Sequence, residues 1–433
     1  MFGTVDTYRK VIALTGPLLP VISFFARLPV AMSQFGSVLL VVQTSGSLAT
    51  AGIVGGSLSA GQVVCGPLLG RLADRHGQRP VVLAAAAVNA LATGALVAGA
   101  LAGLDTVPLA AIGAVTGASI PLIGPLARTR SVALAHRAGA DESVIGAVHS
   151  LEGTLDEVSF VFGPALVGLA VLVAHPAVAL AGAAVLVVAF GSAYALHPTA
   201  SVTAGSPAPT GAAKAGRPRH PGIVHAVRGS LALQGAMFGA CQAGIASLTD
   251  RLGAPGQAGI VYAAMGVVSA VVGLALGALP ARFGLRLRWR TATGAALLLS
   301  APLLFVDSLW SLYAVVTVLG AAYAPHLITA FALTERAVAH DRLAESMAFA
   351  ASSLVAGQAA ALAVSGRLAE WYGPAGAFAV AVGAAALCLV LALLARVPAA
   401  RTHPAAAGGG ATAVTAAMPA AVSAAPRESY AGR

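Results

Sequence analysis

The stretch Gly70-Arg-Leu-Ala-Asp-Arg-His-Gly-Gln-Arg79 places three arginines, an aspartate and a histidine within one short segment. Apolar runs lie on both sides of it, at about residues 48–69 and 81–101. Each run has about the 20 residues that a helix needs to cross a bilayer. The stretch is therefore predicted to be a loop between two membrane-spanning helices. Because loops rich in arginine stay on the cytoplasmic side, the loop is expected there.

The composition of the whole chain is that of a helical membrane protein. Of its 433 residues, 58% are hydrophobic and 9% are charged, whereas soluble domains carry about 25% charged residues. The chain also contains 50 glycines, and small residues allow helices in a membrane to approach one another closely. We therefore expect an all-α integral membrane protein.

The positions of the basic residues argue against a nucleic-acid-binding protein, although the formal net charge is +10. In an arrangement of twelve spans, all but three of the 25 Lys and Arg residues lie in predicted cytoplasmic segments; the three are Arg27, Arg251 and Arg367. This bias is typical of a multi-pass protein of the cell membrane with both termini in the cytoplasm, and not of a basic groove for phosphates.

The sequence shows no pattern typical of enzyme chemistry. Its three cysteines, Cys65, Cys241 and Cys388, lie singly in apolar runs, which excludes a disulfide framework and a cysteine metal site. No nucleotide-binding loop and no Ser-His-Asp arrangement stands out. The sequence therefore predicts neither an enzyme nor a protein with a bound cofactor or metal.

Changes in composition divide the chain into four predicted segments. The middle of the chain is rich in Pro, Gly, Ser, Thr and Ala, which is typical of a flexible linker, and its end has the composition of a disordered tail. Six apolar spans precede the linker and six follow it; the fourth is expected at about Leu109–Leu134 and the ninth at 291–306. The segments are an N-terminal six-helix bundle at 1–197, the linker at 198–225, a C-terminal six-helix bundle at 226–397 and the tail at 398–433.

The two predicted bundles carry similar short motifs, which favours duplication of a six-helix unit. One motif follows the second span of each bundle and the other lies at the fifth. The recurring residues are Gly70, Leu72, Arg75 and Gly77 with Gly277, Leu279, Arg282 and Gly284, and Glu142-Ser143, Ser150-Leu151 and Gly163 with Glu345-Ser346, Ser353-Leu354 and Gly366. The second copy of the loop has Ala281 in place of Asp74.

The opening loop resembles the loop between the second and third helices of the major facilitator superfamily, whose pattern is Gly-x-Leu-Ala-Asp-Arg-x-Gly-Arg-Lys. The residues that match are Gly70, Leu72, Ala73, Asp74, Arg75 and Gly77, followed by the basic Arg79; Gln78 departs from the pattern. The resemblance implies twelve helices in two six-helix bundles. It also implies that Asp74 lies near the start of the eleventh helix, where Gly70, Asp74, Arg75, Gly77 and Arg79 form a conformational latch.

The predicted fifth span holds three acidic residues, Glu152, Asp156 and Glu157. Asp156 lies roughly 16 Å along this helix, near the middle of the bilayer. A carboxylate inside a span costs at least about 2.5–3.5 kcal/mol, so the acids are expected to face water or a partner, or to be protonated. Arg27 in the first span is the expected partner of Asp156 or Glu152. Their pair is either broken by proton or substrate binding, or static and important for helix packing.

The resemblance implies a membrane transporter, and two further features bear on the direction in which it would move its substrate. Gly163, Pro164 and Gly168 resemble the end of the antiporter motif of drug exporters in the superfamily; they are also typical of a proline kink with close packing. These exporters have an arginine well inside the fourth helix. In this sequence the basic residues, Arg128 and Arg130, are expected at the cytoplasmic end of that span, which makes Arg27 the candidate replacement.

Gln34, Gln234, Gln242 and His326 are candidate substrate contacts, because they lie on the first, seventh and tenth helices, which line the central cavity in the superfamily. A lone polar residue in a span otherwise forms a hydrogen bond between helices.

Together these features predict a proton-coupled exporter of a small organic compound, a drug or a metabolite. It is expected to work as a monomer by alternating access, with the proton gradient as its energy source. Its expected partners are protons, the lipid bilayer and a substrate that the three acids suggest is cationic or amphipathic. A proton symporter that imports a nutrient and a receptor that does not transport are the alternatives.

Overall fold

The computed structural model of the protein describes residues 2–203, 222–254, 256–277, 279 and 283–396, and in these residues it is helical without strands. The α-helices are α1 (Phe2–Thr15), α2 (Leu18–Ser45), α3 (Leu48–His76), α4 (Gln78–Leu101), α5 (Thr106–Ala118), α6 (Ile123–Arg137), α7 (Glu142–Val173), α8 (Pro176–Leu196), α9 (Gly222–Arg251), α10 (Gln257–Leu276), α11 (Leu285–Ser300), α12 (Leu309–Ala337), α13 (Leu343–Tyr372) and α14 (Pro374–Leu394).

The prediction of an all-α membrane protein with twelve spans is confirmed. Eleven segments of the described chain are long and apolar enough to cross a membrane, and α5 with α6 forms one of them, at Thr106–Arg137. The remaining span, expected at 291–306, is α11 continued by a 3-10 turn at Ala301–Phe305. We refer to α2–α8 as the N-half and to α9–α14 as the C-half.

Several predicted boundaries differ from the structure. The predicted linker at 198–225 begins with a 3-10 helix at Pro198–Thr203, and α9 already begins at Gly222. Helix α1, which precedes the first span, was not predicted, because it is short and carries charged side chains. Residues 204–221 and the predicted tail at 398–433 lie outside the described residues.

The predicted loop at residues 70–79 is almost entirely helical. Helix α3 continues to His76 and α4 begins at Gln78, so that Gly77 alone joins them. Its backbone φ is +82°, a conformation that glycine adopts without the steric penalty of a Cβ atom. We call this end of the bundle the motif end and the opposite end the far end.

The two halves contact each other closely at the motif end through α3 and α13. A Cβ atom at Gly70 would lie 2.6 Å from the carbonyl oxygen of Ala344, and one at Gly66 would lie 2.5 Å from the hydroxyl of Ser352. Glycine is therefore needed for this approach of the two backbones. Nearer the far end the same two helices separate and line a cavity.

Candidate functional site

The cavity between the halves has a volume of about 620 Å³. Its walls are largely apolar and include aromatic side chains from both halves, namely Phe35, Phe160, Phe238, Tyr262 and Phe331. The polar or charged residues that line it include Arg27, Gln34, Gln62, Asp156, Glu157, Gln242 and Gln358. An apolar cleft with a few polar groups is typical of a site for a small organic molecule.

Charged side chains of α2, α6 and α7 meet beneath the cavity, and we call Arg27, Arg128, Ser131, Glu152 and Asp156 the charged cluster. Arg27 forms an ion pair with the Glu152 carboxylate and donates to the Glu152 main-chain oxygen at 3.0 Å. Its Nη1 also lies 3.4 Å from Asp156 Oδ1. Arg128 Nη2 lies 3.0 Å from Asp156 Oδ2, and the Ser131 hydroxyl donates to Glu152 at 2.8 Å.

The charged cluster is balanced, because two guanidinium groups face two carboxylates. The side chains of Arg27 and Arg128 are 4% and 0% exposed. Removing one member of such a buried pair typically costs about 3–5 kcal/mol, since the remaining charge has no partner. The structure thus brings together Arg27 and the two acids that were expected to pair with it.

The expectation that Arg128 and Arg130 lie at the cytoplasmic end of the fourth span holds for Arg130, which contacts Gln78 at the start of α4, and is wrong for Arg128, which contacts Asp156. The span is interrupted between α5 and α6, so that α6 begins only at Ile123 and carries both arginines into the protein interior. Arg128 contacts Asp156, as described above. Arg130 donates to Gln78 at 3.0 Å and to the main-chain oxygen of Tyr194 at 2.8 Å. The signal in the sequence was the pair of prolines, at 121 and 125, that disfavours a continuous helix.

Glu157 differs from the other two acids of α7. Its side chain is buried, lines the cavity and has no ion-pair partner among the described residues. The hydroxyl of Ser269 on α10 lies within its hydrogen-bonding reach. An ionised Glu157 at this depth is costly without a cation, and proton binding removes that cost.

Of the four candidate cavity contacts, only Gln34 and Gln242 line the cavity. Gln34 donates to Gln62 at 2.7 Å. Gln234 and His326 are instead buried inside the C-half, where the prediction that they contact substrate is not supported by their position. The physical reason is that their polar atoms are already satisfied by neighbouring helices of the C-half.

We call Ser230, Gln234, Trp289, His326 and Cys388 the neutral cluster. His326 Nδ1 lies 2.5 Å from Gln234 Oε1, and its Nε2 lies 2.6 Å from the Ser230 hydroxyl. Trp289 donates to Ser230 at 3.0 Å, and Cys388 lies 3.1 Å from the same hydroxyl. Gln234 Nε2 donates to a main-chain oxygen of α12 at 3.0 Å, so its Oε1 must accept from His326. This pattern is satisfied by a neutral imidazole.

Asp74, near the end of α3, contacts the start of α13 in the C-half. Its carboxylate accepts hydrogen bonds from the backbone N–H groups of Ala344 at 3.0 Å and Glu345 at 2.8 Å. These are among the N–H groups that a helix leaves without a partner in its first turn, and the positive end of the helix dipole favours an anion there. Arg75 and Arg79 are exposed beside this contact.

Ion pairs between the halves add to the closure of the motif end. Arg336 pairs with Glu142, and His136 Nε2 lies 3.0 Å from Glu335 Oε1. At the start of α7, Asp141 accepts hydrogen bonds from the first turn, and the bond from the Ser143 hydroxyl lowers the pKa of Asp141. The contacts of Glu142 with Arg336 and of His136 with Glu335 therefore join the two halves at the motif end.

The three residues that resemble an antiporter motif lie on α7 above the charged cluster. Gly163 packs against α2, where a Cβ atom would lie 2.5 Å from the Ala31 methyl group, and Pro164 lines the cavity. A Cβ atom at Gly168 would meet nothing within 4 Å. Gly163 thus has a packing role, whereas no contact explains Gly168.

Among the described residues, no group of three or more His, Cys, Asp and Glu side chains is arranged to hold a metal ion.

Sequence comparison decides the family. The profile of the Major Facilitator Superfamily matches residues 21–309 and 230–427, which together span most of the chain. The chain belongs to the Major Facilitator Superfamily. The resemblance of the opening loop is thus confirmed, and the protein is a member of a superfamily of membrane transporters. No curated protein matches the sequence.

Solved structures of this superfamily share the fold. The human organic anion transporter MFSD10 (TETRAN) is 17% identical with a TM-score of 0.63, covering 89% of this chain and 99% of its own. A bacterial homologue of the iron transporter ferroportin, in an outward-facing state, is 14% identical with a TM-score of 0.70, covering 87% and 97%. The transporter FucP, in the outward conformation, is 16% identical with a TM-score of 0.61, covering 88% and 98%.

Proposed function

We propose that this superfamily member is a secondary active transporter that exports a small organic compound, a drug or a metabolite, by proton antiport and alternating access. The observation that carries the proposal is a pair of carboxyl groups, Asp156 and Glu157, at the wall of an apolar cavity between the two halves. Asp156 already pairs with arginines, whereas Glu157 has no ion-pair partner among the described residues. A carboxylate without a partner is costly at this depth in a membrane, which favours the binding of a proton or a cation.

The orientation of the protein follows from its basic residues. With Arg75 and Arg79 exposed at the motif end, the positive-inside rule favours a cytoplasmic location for that end, and we propose that both termini lie on the same side. The cavity then faces the outside of the cell membrane, and the contact between Asp74 and α13 acts as the cytoplasmic latch of the outward-facing conformation. Gly70 and Gly163 support this cycle as sites of close packing, and Gly77 and Pro164 as sites where the backbone can bend.

The aromatic and acidic lining of the cavity favours a cationic or amphipathic substrate. Phe160, Phe238 and Tyr262 lie in the same cavity as Glu157, and aromatic faces attract organic cations. We propose that the protein does this as a monomer with no bound cofactor, with the proton gradient as its energy source.

Everted membrane vesicles that respiration has acidified inside provide the test. Cationic, neutral and anionic compounds are added one at a time, and the internal pH is followed with a fluorescent dye. We expect one class of compound to make the interior more alkaline, and we expect the double variant Asp156→Asn, Glu157→Gln to abolish this response. Glu370→Gln is the matched control, because Glu370 pairs with Arg367 on an exposed surface at 3.4 Å.

Two results contradict proton antiport. Labelled compound that crosses without any change in internal pH indicates a uniporter or another coupling ion. Proton movement in the same direction as the compound indicates a symporter.

A further inference from the structure

Helix α7 presents its acids on two different faces. Glu152 and Asp156 are four residues apart and share one face of the helix. Both contact residues of α2 and α6, which belong to the N-half. Glu157 lies about 100° around the helix from Asp156. The side chains around Glu157 are therefore different from those around Glu152 and Asp156.

The face of α7 that carries Glu157 packs against α10 of the C-half. The Ser150 hydroxyl donates to the main-chain oxygen of Gly273, and a Cβ atom at Gly273 would lie 3.0 Å from the Thr154 hydroxyl. Nearer the far end, Gly266 faces the side chain of Val161. Residues at this spacing form one stripe along a helix, and Glu157 lies within it.

Ser269 connects Glu157 to a third helix. Ser269 lies on α10 between Gly266 and Gly273, and its hydroxyl is within hydrogen-bonding reach of Glu157. The same hydroxyl accepts a hydrogen bond at 3.1 Å from the backbone N–H of Ala324 on α12. Ala324 immediately precedes Pro325, which interrupts the hydrogen bonds of α12. Ser269 thus lies beside Glu157 and also contacts α12 next to its proline.

The titratable groups that face Glu157 come from three helices: Asp156 on α7, Tyr262 on α10 and Tyr323 on α12. Asp156 is compensated by Arg27 and Arg128. Neither tyrosine supplies a cation. The charge of Glu157 is therefore not balanced within the part of the chain that the structure describes.

Alternating access moves one half of a transporter against the other. A proton site can drive this movement only if proton binding is more favourable in one conformation than in the other. The ion-pair partners of Glu152 and Asp156 all lie within the N-half, although one of them, Arg128, also contacts the ring of Phe331 on α12. Movement of the halves can change that ring contact but leaves the ion pairs in place. The partners of Glu157 lie across the boundary, so that the same movement changes them.

We infer that Glu157 is the carboxyl group through which proton binding is coupled to the movement of the halves, and that Ser269 is its positioning residue. The charged cluster is then a static element that fixes α2, α6 and α7 within the N-half. This assignment rests on the proposed proton antiport and goes beyond it, because it separates one coupling acid from two packing acids.

Spin labels at the far end of the two halves measure the movement directly. Val107 in the N-half and Trp310 in the C-half are 79% and 87% exposed and begin α5 and α12. Both are replaced by cysteine in a variant whose partly exposed native thiol is removed by Cys65→Ala. Pulsed electron resonance then gives the distribution of distances in lipid nanodiscs between pH 5 and pH 9, without any substrate.

We expect the distances to shift with pH in the labelled parent protein, and we expect Glu157→Gln to lose this shift completely. Ser269→Ala should move the midpoint of the shift, and Ser269→Thr, which keeps a hydroxyl, should restore it. Glu152→Gln, which changes an acid of the charged cluster that does not line the cavity, and the surface control Glu370→Gln should both keep the shift. Should Glu152→Gln fail to fold, Glu370→Gln still shows that loss of a carboxylate alone does not remove the shift.

The inference is overturned if the parent protein shows no shift with pH, or if the shift persists in Glu157→Gln. Its failure is distinguishable from that of the proposed function. In the vesicle assay, antiport that Glu157→Gln retains leaves the function standing and removes the role of Glu157, whereas a wild-type protein without any proton movement removes the function itself.

Discussion

The charged cluster of the N-half and the neutral cluster of the C-half are built on corresponding helices. Both use the first and fourth spans of their half: α2 and α6 in the charged cluster, and α9 and α12 in the neutral cluster. Gly70 and Gly277 are corresponding residues of the recurring loop motif. The separation between Arg27 and Gln234 is the same as the separation between these two glycines. Arginine in one half therefore corresponds to glutamine in the other.

The fifth span of each half explains the difference in charge. Glu142 and Glu345 are corresponding residues of the recurring motif at the fifth span. At the same separation along the chain, Glu152 corresponds to Val355 and Asp156 to Ala359. In α13 the positions of the two acids are thus apolar, and both residues line the cavity. Without acids, a buried arginine has no partner, and a neutral hydrogen-bond network fills the same region. The comparison teaches that, in these corresponding spans, a buried arginine occurs where the fifth span supplies acids and a neutral network occurs where it does not.

Loss of Arg27 should have the largest effect on stability. Arg27→Met leaves Glu152 and Asp156 with Arg128 alone, so that one buried carboxylate is unpaired. We expect the free energy of unfolding to fall by about 3–5 kcal/mol. Thermal unfolding of the purified protein in detergent measures the change.

The control for Arg27 is Arg367→Met, which removes one partner of an exposed ion pair and should cost less than about 1 kcal/mol. The double variant Arg27→Met, Glu152→Met removes both charges of a pair and should recover most of the lost stability. Equal effects of Arg27→Met and Arg367→Met would contradict a stabilising charged cluster.

Loss of His326 should have a smaller effect, and one of a different kind. His326→Leu leaves the Ser230 hydroxyl without its His326 acceptor and Gln234 Oε1 without its donor, at a cost of about 1–3 kcal/mol for a buried group. Because the neutral cluster is satisfied by an uncharged imidazole, the shape of the pH profile of transport should not change. Melting temperature and transport at several pH values check both points, and a displaced profile would show that the C-half also holds charge.

Loss of the Asp74 charge should have the smallest effect. Asp74→Asn leaves one oxygen to accept the two hydrogen bonds from the start of α13, and the loss of one hydrogen bond is worth about 1 kcal/mol, or roughly fivefold in an equilibrium between conformations. We expect slower transport with unchanged substrate binding, measured by uptake into vesicles and by equilibrium binding. The other half already has Ala281 at the corresponding position, so unchanged transport by Asp74→Asn would mean that neither copy of the loop acts as a latch.

Much of the fold could be predicted from local sequence. Apolar runs of sufficient length indicated the spans, because a single segment in lipid satisfies all its backbone hydrogen bonds within itself only as a helix. The acids of α7 and Arg27 stood out because charge inside a span is rare. Arg128 was misplaced, because its depth depends on the break between α5 and α6, and a pattern of apolar residues does not reveal such a break. His326 was misassigned, because its four polar neighbours come from helices that are distant in sequence.

The sequence by itself determined that this chain is a membrane protein of twelve spans, that its halves carry similar short motifs, and that three acids lie in the fifth span. These properties follow from hydrophobicity and spacing along single helices. Only the tertiary structure decided which acids are compensated. Glu152 and Asp156 face the arginines of their own half and Glu157 faces the other half, because the direction of a side chain depends on how α7 is rotated between its neighbours.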